Sequence, residues 1–223
     1  MIREPIFVVF AREPAPGRVK KKLGREIGFR AAAALYRAVL GDIVGLLARH
    51  SFRFMIACTA DSSREWFVDW LPGWIDVVYQ EGENLGRRIE NMFEYCFGRG
   101  EEHVMLLSSD VPMLSTGILL AASEWLLRER VVLGPSRDGG YYLLGLPGSL
   151  PGIFSGIDWR GPRILEETLE RLRDREYWLL PELSGIRRRG DIGRLRGEIA
   201  RSLESGVGYP VETAALLETM PES

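Results

Sequence analysis

The sequence predicts an α/β protein built on a mostly parallel, doubly wound sheet with helices on both faces. Three observations carry this. Short apolar runs rich in β-formers alternate with longer segments of helical periodicity. The runs are continuous rather than alternating, as in strands covered on both faces. The strand-helix alternation occurs four times, which is the signature of a layered parallel sheet.

Residues 6–10, Ile-Phe-Val-Val-Phe, make a central strand. The stretch from Ala11 to Gly24 contains Pro14, Pro16 and Gly17 among basic residues and is expected to hold no regular structure. Helical spacing from about residue 29 to 48 puts Leu35, Val39, Ile43, Leu46 and Leu47 on one side. Residues 52–58 form the next strand, Ser62-x-x-Glu65 reads as a capping box for a short helix toward Trp70, and residues 75–79 are again a strand. Asn84 is a suitable N-cap for a helix carrying Leu85, Ile89, Met92, Phe93 and Cys96. Residues 104–107 form a strand that stops at Ser108-Ser109-Asp110, and Ser115 caps a helix with Ile118, Leu119, Ala122, Trp125 and Leu126. Residues 131–133 and 141–144 flank Gly134 to Gly140 as strands, and Pro162 occupies the first turn of a helix with Leu165, Thr168, Leu169 and Leu172. Beyond Leu183 the chain is Arg- and Gly-rich, with helical patterning near residues 192–203 and 213–220. This tail is placed only loosely from about residue 190.

A length of 223 residues suits one domain, 1–223, and 46% hydrophobic with 27% charged residues excludes a disordered, fibrous or disulfide-scaffold chain. A formal charge of −2 gives no global field for nucleic acid, although Lys20 to Lys22 and Arg187 to Arg189 are local anion-site candidates. Cys58 and Cys96 fall in apolar periodic segments without C-x-x-C spacing, so buried free thiols in a reducing compartment are expected. Met1-Ile2-Arg3-Glu4 precedes an apolar run too short for a signal peptide, and no stretch approaches the ~20 apolar residues of a membrane span. The expected location is cytoplasmic.

Ligands bind at the carboxyl ends of strands in such sheets, and three loops there carry chemistry. In Arg12-Glu13-Pro14-Ala15-Pro16-Gly17-Arg18-Val19-Lys20, Gly17 lets backbone approach an anion while Arg12 and Lys20 can neutralise phosphate. A solvated basic loop is the alternative. Asp110, at the end of its strand and before Pro112, can hold Mg²⁺ or Mn²⁺, or else bond turn amides. In Asp138-Gly139-Gly140-Tyr141-Tyr142, paired glycines and tyrosines can form an acceptor pocket or an Asp-Gly hairpin with Tyr packed under it. His50 and His103 suggest no Asp-His pair and read as surface or helix-end residues. No cluster has zinc spacing, and Ser108-Ser109 lacks a hydrolase elbow.

Together these segments resemble a known family. The residues are Phe10-Ala11-Arg12 with Pro14-x-Pro16-Gly17-x-x-Lys20, Gln80-x-Gly82-x-x-Leu85-Gly86-x-Arg88, Ser109-Asp110-x-Pro112, Gly134-Pro135-x-x-Asp138-Gly139-Gly140-Tyr141-Tyr142-Leu143-Leu144-Gly145, and Phe154-x-x-Ile157-x-Trp159. The chain is similar, over about residues 5–195, to the DUF2064 group of radical-SAM/selenodomain-associated transferases, in the superfamily of glycosyltransferase-A-type nucleotide-diphospho-sugar transferases. The resemblance implies a Rossmann-like three-layer α/β/α sandwich with a mostly parallel (mixed) sheet, and metal-assisted glycosyl or nucleotidyl transfer from a nucleotide sugar or NTP to a small acceptor. Lys20, Asp110 and Asp138 would be catalytic. Arg12, Gly17 and Lys20 would grip the nucleotide's phosphates, and Gln80, Gly82 and Gly86 would border its base. Gly139, Gly140 and Tyr141 would face the acceptor, and Asp110 would bind the metal.

The chain departs from the family pattern near its C-terminus, where a carboxylate cluster is replaced by Gly185-Ile186-Arg187-Arg188-Arg189-Gly190-Asp191-Ile192, of which only Asp191 matches. The expectation is that Arg187 to Arg189 supply part of the missing ion's charge by contacting phosphate. The alternatives are a nucleotidyltransferase of the phospholactate or molybdenum-cofactor type and a nucleotide-binding module without catalysis. A homodimer is left open.

Overall fold

The computed structural model describes residues 4–206 and 208–221. Met1, Ile2 and Arg3, on which part of the opening-segment reading rests, lie outside the described residues.

The mixed α/β fold is organised by a seven-stranded sheet. In chain order the elements are β1 (Ile6–Ala11), α1 (Lys21–Ile27), α2 (Phe29–Arg49), β2 (Arg53–Cys58), α3 (Arg64–Trp70), β3 (Val77–Tyr79), α4 (Leu85–Gly98), β4 (Val104–Ser108) and α5 (Thr116–Leu126). There follow β5 (Val131–Pro135), β6 (Tyr141–Leu146), α6 (Ile164–Arg171), β7 (Tyr177–Leu179), α7 (Arg189–Ser205) and α8 (Val211–Thr219). The strands lie in the order β3-β2-β1-β4-β6-β5-β7. β1 pairs in parallel with β2 and β4, setting Phe7 beside Phe54 and Met105, while β2–β3 and β5–β7 are also parallel. β6 runs antiparallel to both β4 and β5. That reversal matters for the site, because it delivers the β5–β6 turn to the sheet edge where β1 to β4 end.

Side chains along β1 alternate between two cores, as the two-residue period of a strand requires. Phe7 and Val9 join Leu35, Val39 and Ile43 of α2 and Leu119 of α5 on one face. Ile6 and Val8 join Ile89, Met92 and Phe93 of α4 on the other. Each such side chain removed from water contributes roughly 1.5–3 kcal/mol. α2 is long and apolar enough by composition to cross a membrane, which corrects the sequence reading that no stretch comes near that length. Most of its buried residues, from Ala32 to Leu47, are packed in the first core.

Four other local expectations change. A short helix, α1, begins inside the stretch expected to be irregular, because the prolines end at Pro16 and Gly28 separates it from α2. The cap of α3 is Ser63, which accepts from the Trp66 amide at 3.1 Å, while Ser62 instead accepts from the Glu13 amide at 3.0 Å. Pro162 precedes α6, whose cap is Arg163. His103 is buried at the start of β4, with Nε2 3.1 Å from Glu129, rather than on the surface, whereas His50 caps the end of α2 as a helix-end residue.

The C-terminal helices extend the first core, to which Ile192, Leu195 and Ile199 of α7 and Leu217 of α8 contribute. The start of α8 is fastened to α2 by Asp42, whose two oxygens accept from the Glu212 and Thr213 amides at 2.8 Å each.

Candidate functional site

The loop between β1 and α1 is pinned by its own polar groups. The Glu13 carboxylate accepts from the Ser63 amide at 2.9 Å, and Arg18 donates to the Asp61 carbonyl at 2.8 Å. The Arg12 amide donates to the Tyr36 hydroxyl at 2.9 Å. Ser109 gives its one hydroxyl proton to the Phe10 carbonyl at 2.8 Å, so Tyr36 is the donor in its 2.8 Å bond to Ser109. Burial first, and then the Asp110 charge, push the Tyr36 hydroxyl well above its ordinary pKa and keep it a proton donor. One buried tyrosine thus ties the first loop to the end of β4.

Lys20 sits at the end of that loop in a left-handed conformation, φ 46°, which costs a non-glycine residue about 1 kcal/mol or more. Its ammonium lies 2.9 Å from Asp110 Oδ1 and donates to the Ile186 carbonyl, also at 2.9 Å. The Lys20 side chain is only 7% exposed, against 44% for Asp110. The sequence reading gave Lys20 to phosphate. In the structure its charge is spent between an acid and a carbonyl, leaving Lys21 and Lys22 as the outward cations, with Arg12 and Arg18, which are exposed but also reach Asp61 and Glu13 at 3.4 and 3.7 Å.

These residues border two adjoining hollows. The first, about 470 Å³, is lined by Arg12, Arg18, Lys20, Lys21, Lys22, Arg88 and Arg187, with Asp110 as the acid and Phe10, Gln80 and Leu85 among its walls. The second, about 370 Å³, is lined by Ile89, Leu106, Tyr141, Tyr142, Leu144, Trp159 and Ile164, with Ser136, Asp138, Gly140 and Arg160. Phe10, Leu85, Ser108, Asp110 and Arg187 line both. The two hollows form one cleft along the strand ends, divided by Asp110 and Arg187.

Asp138 is oriented by the Ser136 hydroxyl, which donates to it at 2.6 Å, and is paired with Arg187. Of the three consecutive arginines only Arg187 lines the cleft. Arg188 and the Arg189 amide turn to Glu26, at 3.8 and 2.7 Å. Asp191 accepts from the Arg187 and Arg188 amides at 2.7 and 2.9 Å and so caps α7. Burial would raise its pKa, but those amides and Arg194 outweigh it and leave the carboxyl below its ordinary value.

Several residues assigned to ligand contact from sequence do other work. Gln80 lines the first hollow, yet its amide donates to the Ala57 carbonyl at 2.7 Å. Gly17 takes a φ of 78° in its turn and does not line the cleft. Gly82, at φ 138°, receives Arg88 Nε on its carbonyl at 3.0 Å. A Cβ on Gly86 would run into the Trp159 indole, and one on Gly139 would overlap the Pro162 carbonyl. The motif glycines therefore let the 158–163 loop close against α4 and the β5–β6 turn. That turn is an Asp-Gly hairpin with the Tyr142 ring over Gly134, and it still presents Asp138, Gly140 and Tyr141 to the cleft. Tyr142 donates to the Pro181 carbonyl at 3.1 Å.

Sequence reasoning overlooked Tyr36, Arg18 and Arg160. Tyr36 was hidden on an apolar helix face, where its hydroxyl was the available signal. Arg160 directly follows the Trp159 of a quoted motif.

The DUF2064 profile, "Uncharacterized protein conserved in bacteria", matches residues 43–161. No functionally curated protein matches the chain. Among solved structures, a protein from Desulfovibrio desulfuricans G20, provisionally named a nucleotide-diphospho-sugar transferase, is 29% identical, with 97% of this chain and 95% of that one covered and a TM-score of 0.89. A cytidylyltransferase from Leptospira borgpetersenii serovar Hardjo-bovis (strain JB197) is 12% identical, with 99% of each chain covered and a TM-score of 0.58. A 4-diphosphocytidyl-2C-methyl-D-erythritol synthase from Anaerococcus prevotii DSM 20548 is 14% identical, with 89% and 99% covered and a TM-score of 0.56. The last two share the fold. With more than half its length matched by one profile, and the quoted motifs gathered around one cleft, the chain belongs to the DUF2064 family.

Proposed function

We propose that the chain is a transferase that takes a nucleotide-activated donor, an NTP or a nucleotide sugar, and passes part of it to a small acceptor. The observation that supports this most is the divided cleft: a cation-rich hollow opens through Asp110 and Arg187 into one with apolar walls. The first suits a polyphosphate, since Arg12, Arg18, Lys21 and Lys22 offer charged donors, and the second suits an acceptor beside Asp138 and Tyr141. Transfer at phosphorus, or at a carbon bearing a phosphate leaving group, leaves negative charge on the departing oxygens. Fixed cations can stabilise that charge without a covalent protein nucleophile.

Mg²⁺ or Mn²⁺ fits the donor set. Lys20 holds Oδ1 of an Asp110 that is 44% exposed, and Asp138 lines the same hollow. These ions require one or two carboxylates beside substrate phosphates. Asp110, with Asp138, would hold the ion, which when bound would polarise phosphoryl oxygens. Lys20 and Arg187 already pair with these carboxylates and would share them with the ion, and Arg187 also lines the cation-rich hollow, where its charge can stand in for part of the ion's.

A thermal-shift panel of NTPs and nucleotide sugars, with and without Mg²⁺, identifies the donor, and product analysis then separates pyrophosphate release from sugar transfer. Lys20→Ala is expected to weaken nucleotide binding about tenfold, because it frees the connection at Ile186 and leaves the Asp110 charge unmatched beside the phosphates. Full retention of affinity would remove the loop from the site. Binding that strictly requires the ion would contradict the role given to Arg187.

A further inference from the structure

The second hollow carries information about the acceptor, resting on the transferase reading of the cleft. Its walls are mainly hydrocarbon and aromatic, from Ile89, Leu106, Tyr141, Leu144 and Trp159. A volume of about 370 Å³ suits a molecule with one ring or a short alkyl body. Four charged side chains line it. Asp110 is matched by Lys20, and Asp138 by Arg187. The fourth, Arg160, makes no ion pair among the described residues. Its neighbour Asp158 is used on backbone, accepting from the Arg160 amide at 3.1 Å.

The loop that presents Arg160 is held at several points. Trp159 packs on Gly86, the Pro162 carbonyl abuts Gly139, and the Leu165 amide donates to the Gly139 carbonyl at 2.8 Å. A guanidinium with no ion pair, carried on a loop held at several points beside an apolar wall, is available to a planar or tetrahedral anion. We propose that the second hollow binds an acceptor with an apolar body and a carboxylate or phosphate, and that Arg160 selects for that anion.

Calorimetric titration of the full chain with benzoate, phenyl phosphate, benzamide, acetate and inorganic phosphate tests this. Benzoate or phenyl phosphate should bind roughly tenfold or more tightly than neutral benzamide, as expected for a hydrogen bond to a charged group. Each should also exceed its counterpart without a ring, and the preferred member of the pair tells carboxylate from phosphate. Arg160→Gln should abolish the preference over benzamide, and Arg160→Lys should restore part of it. Equal binding of benzamide, an undiminished preference in Arg160→Gln, or no binding of any probe would overturn the proposal. Nucleotide affinity in the same samples separates this idea from the one beneath it. If nucleotide binds while the anion preference is missing, the acceptor assignment fails alone. If nucleotides do not bind but the preference depends on Arg160, the donor reading fails and the anion subsite stands.

Discussion

Gly139 shows how a single residue decides the shape of the cleft. Its φ of 86° is one that L side chains rarely adopt, and the Pro162 carbonyl fills the space a Cβ would need. Gly139→Ala is therefore expected to cost 2 kcal/mol or more, by order of magnitude, through backbone strain and displacement of the 158–163 loop. Gly140→Ala, where only the Asp138 carboxylate is near, should cost less than about half as much. Urea melts of the two variants make the comparison, and equal losses would refute the steric account. That Arg12, Lys20, Asp110 and Asp138 line the cleft could be anticipated from sequence, because charged residues in Gly- and Pro-rich turns after apolar runs stand out. Tyr36 could not, since its hydroxyl finds Ser109 only after the helix and β4 are packed.

At the scale of elements, the connection from β7 to α7 carries Ile186 and Arg187 over the strand ends, and Asp191 fixes where it stops. Asp191→Ala removes the acceptor for two amides and should destabilise the chain by about 1 kcal/mol at neutral pH. Because the folded carboxyl titrates below its ordinary value of 3.8, its contribution is present above that value. It is lost as pH falls through the lower folded value. The difference between wild type and variant in urea melts should shrink from pH 7 to pH 3, and a constant difference would argue against the cap. Most elements were legible because their apolar residues recur at strand or helix spacing. β7 was missed because Tyr177, Trp178 and Leu179 are all exposed and leave no core pattern. α1 was missed because its sequence, Lys-Lys-Leu-Gly-Arg-Glu-Ile, buries little besides Leu23 and Gly24.

Across the whole molecule, the sheet divides the two cysteines, with Cys58 in one core and Cys96 in the other. Burial pushes both thiols up to about 11. Neither should react with a maleimide at neutral pH until the protein unfolds, so labelling followed by mass spectrometry reports global opening. Rapid labelling of native protein would show that one core is looser than its packing implies. The layered architecture was visible in the order of apolar runs, and the Asp-Gly hairpin reading already implied the reversed direction of β6, whereas its place between β4 and β5 was not visible, because strand order depends on partners distant in sequence.

The hydrogen bond from Lys20 to the Ile186 carbonyl joins residues 166 positions apart. No half of the chain can assemble this junction, so a bound ligand there senses the state of nearly the whole polypeptide. Occupancy should raise the melting temperature as a concentration-dependent linkage, and damage far from the cleft should surface first as weakened ligand uptake.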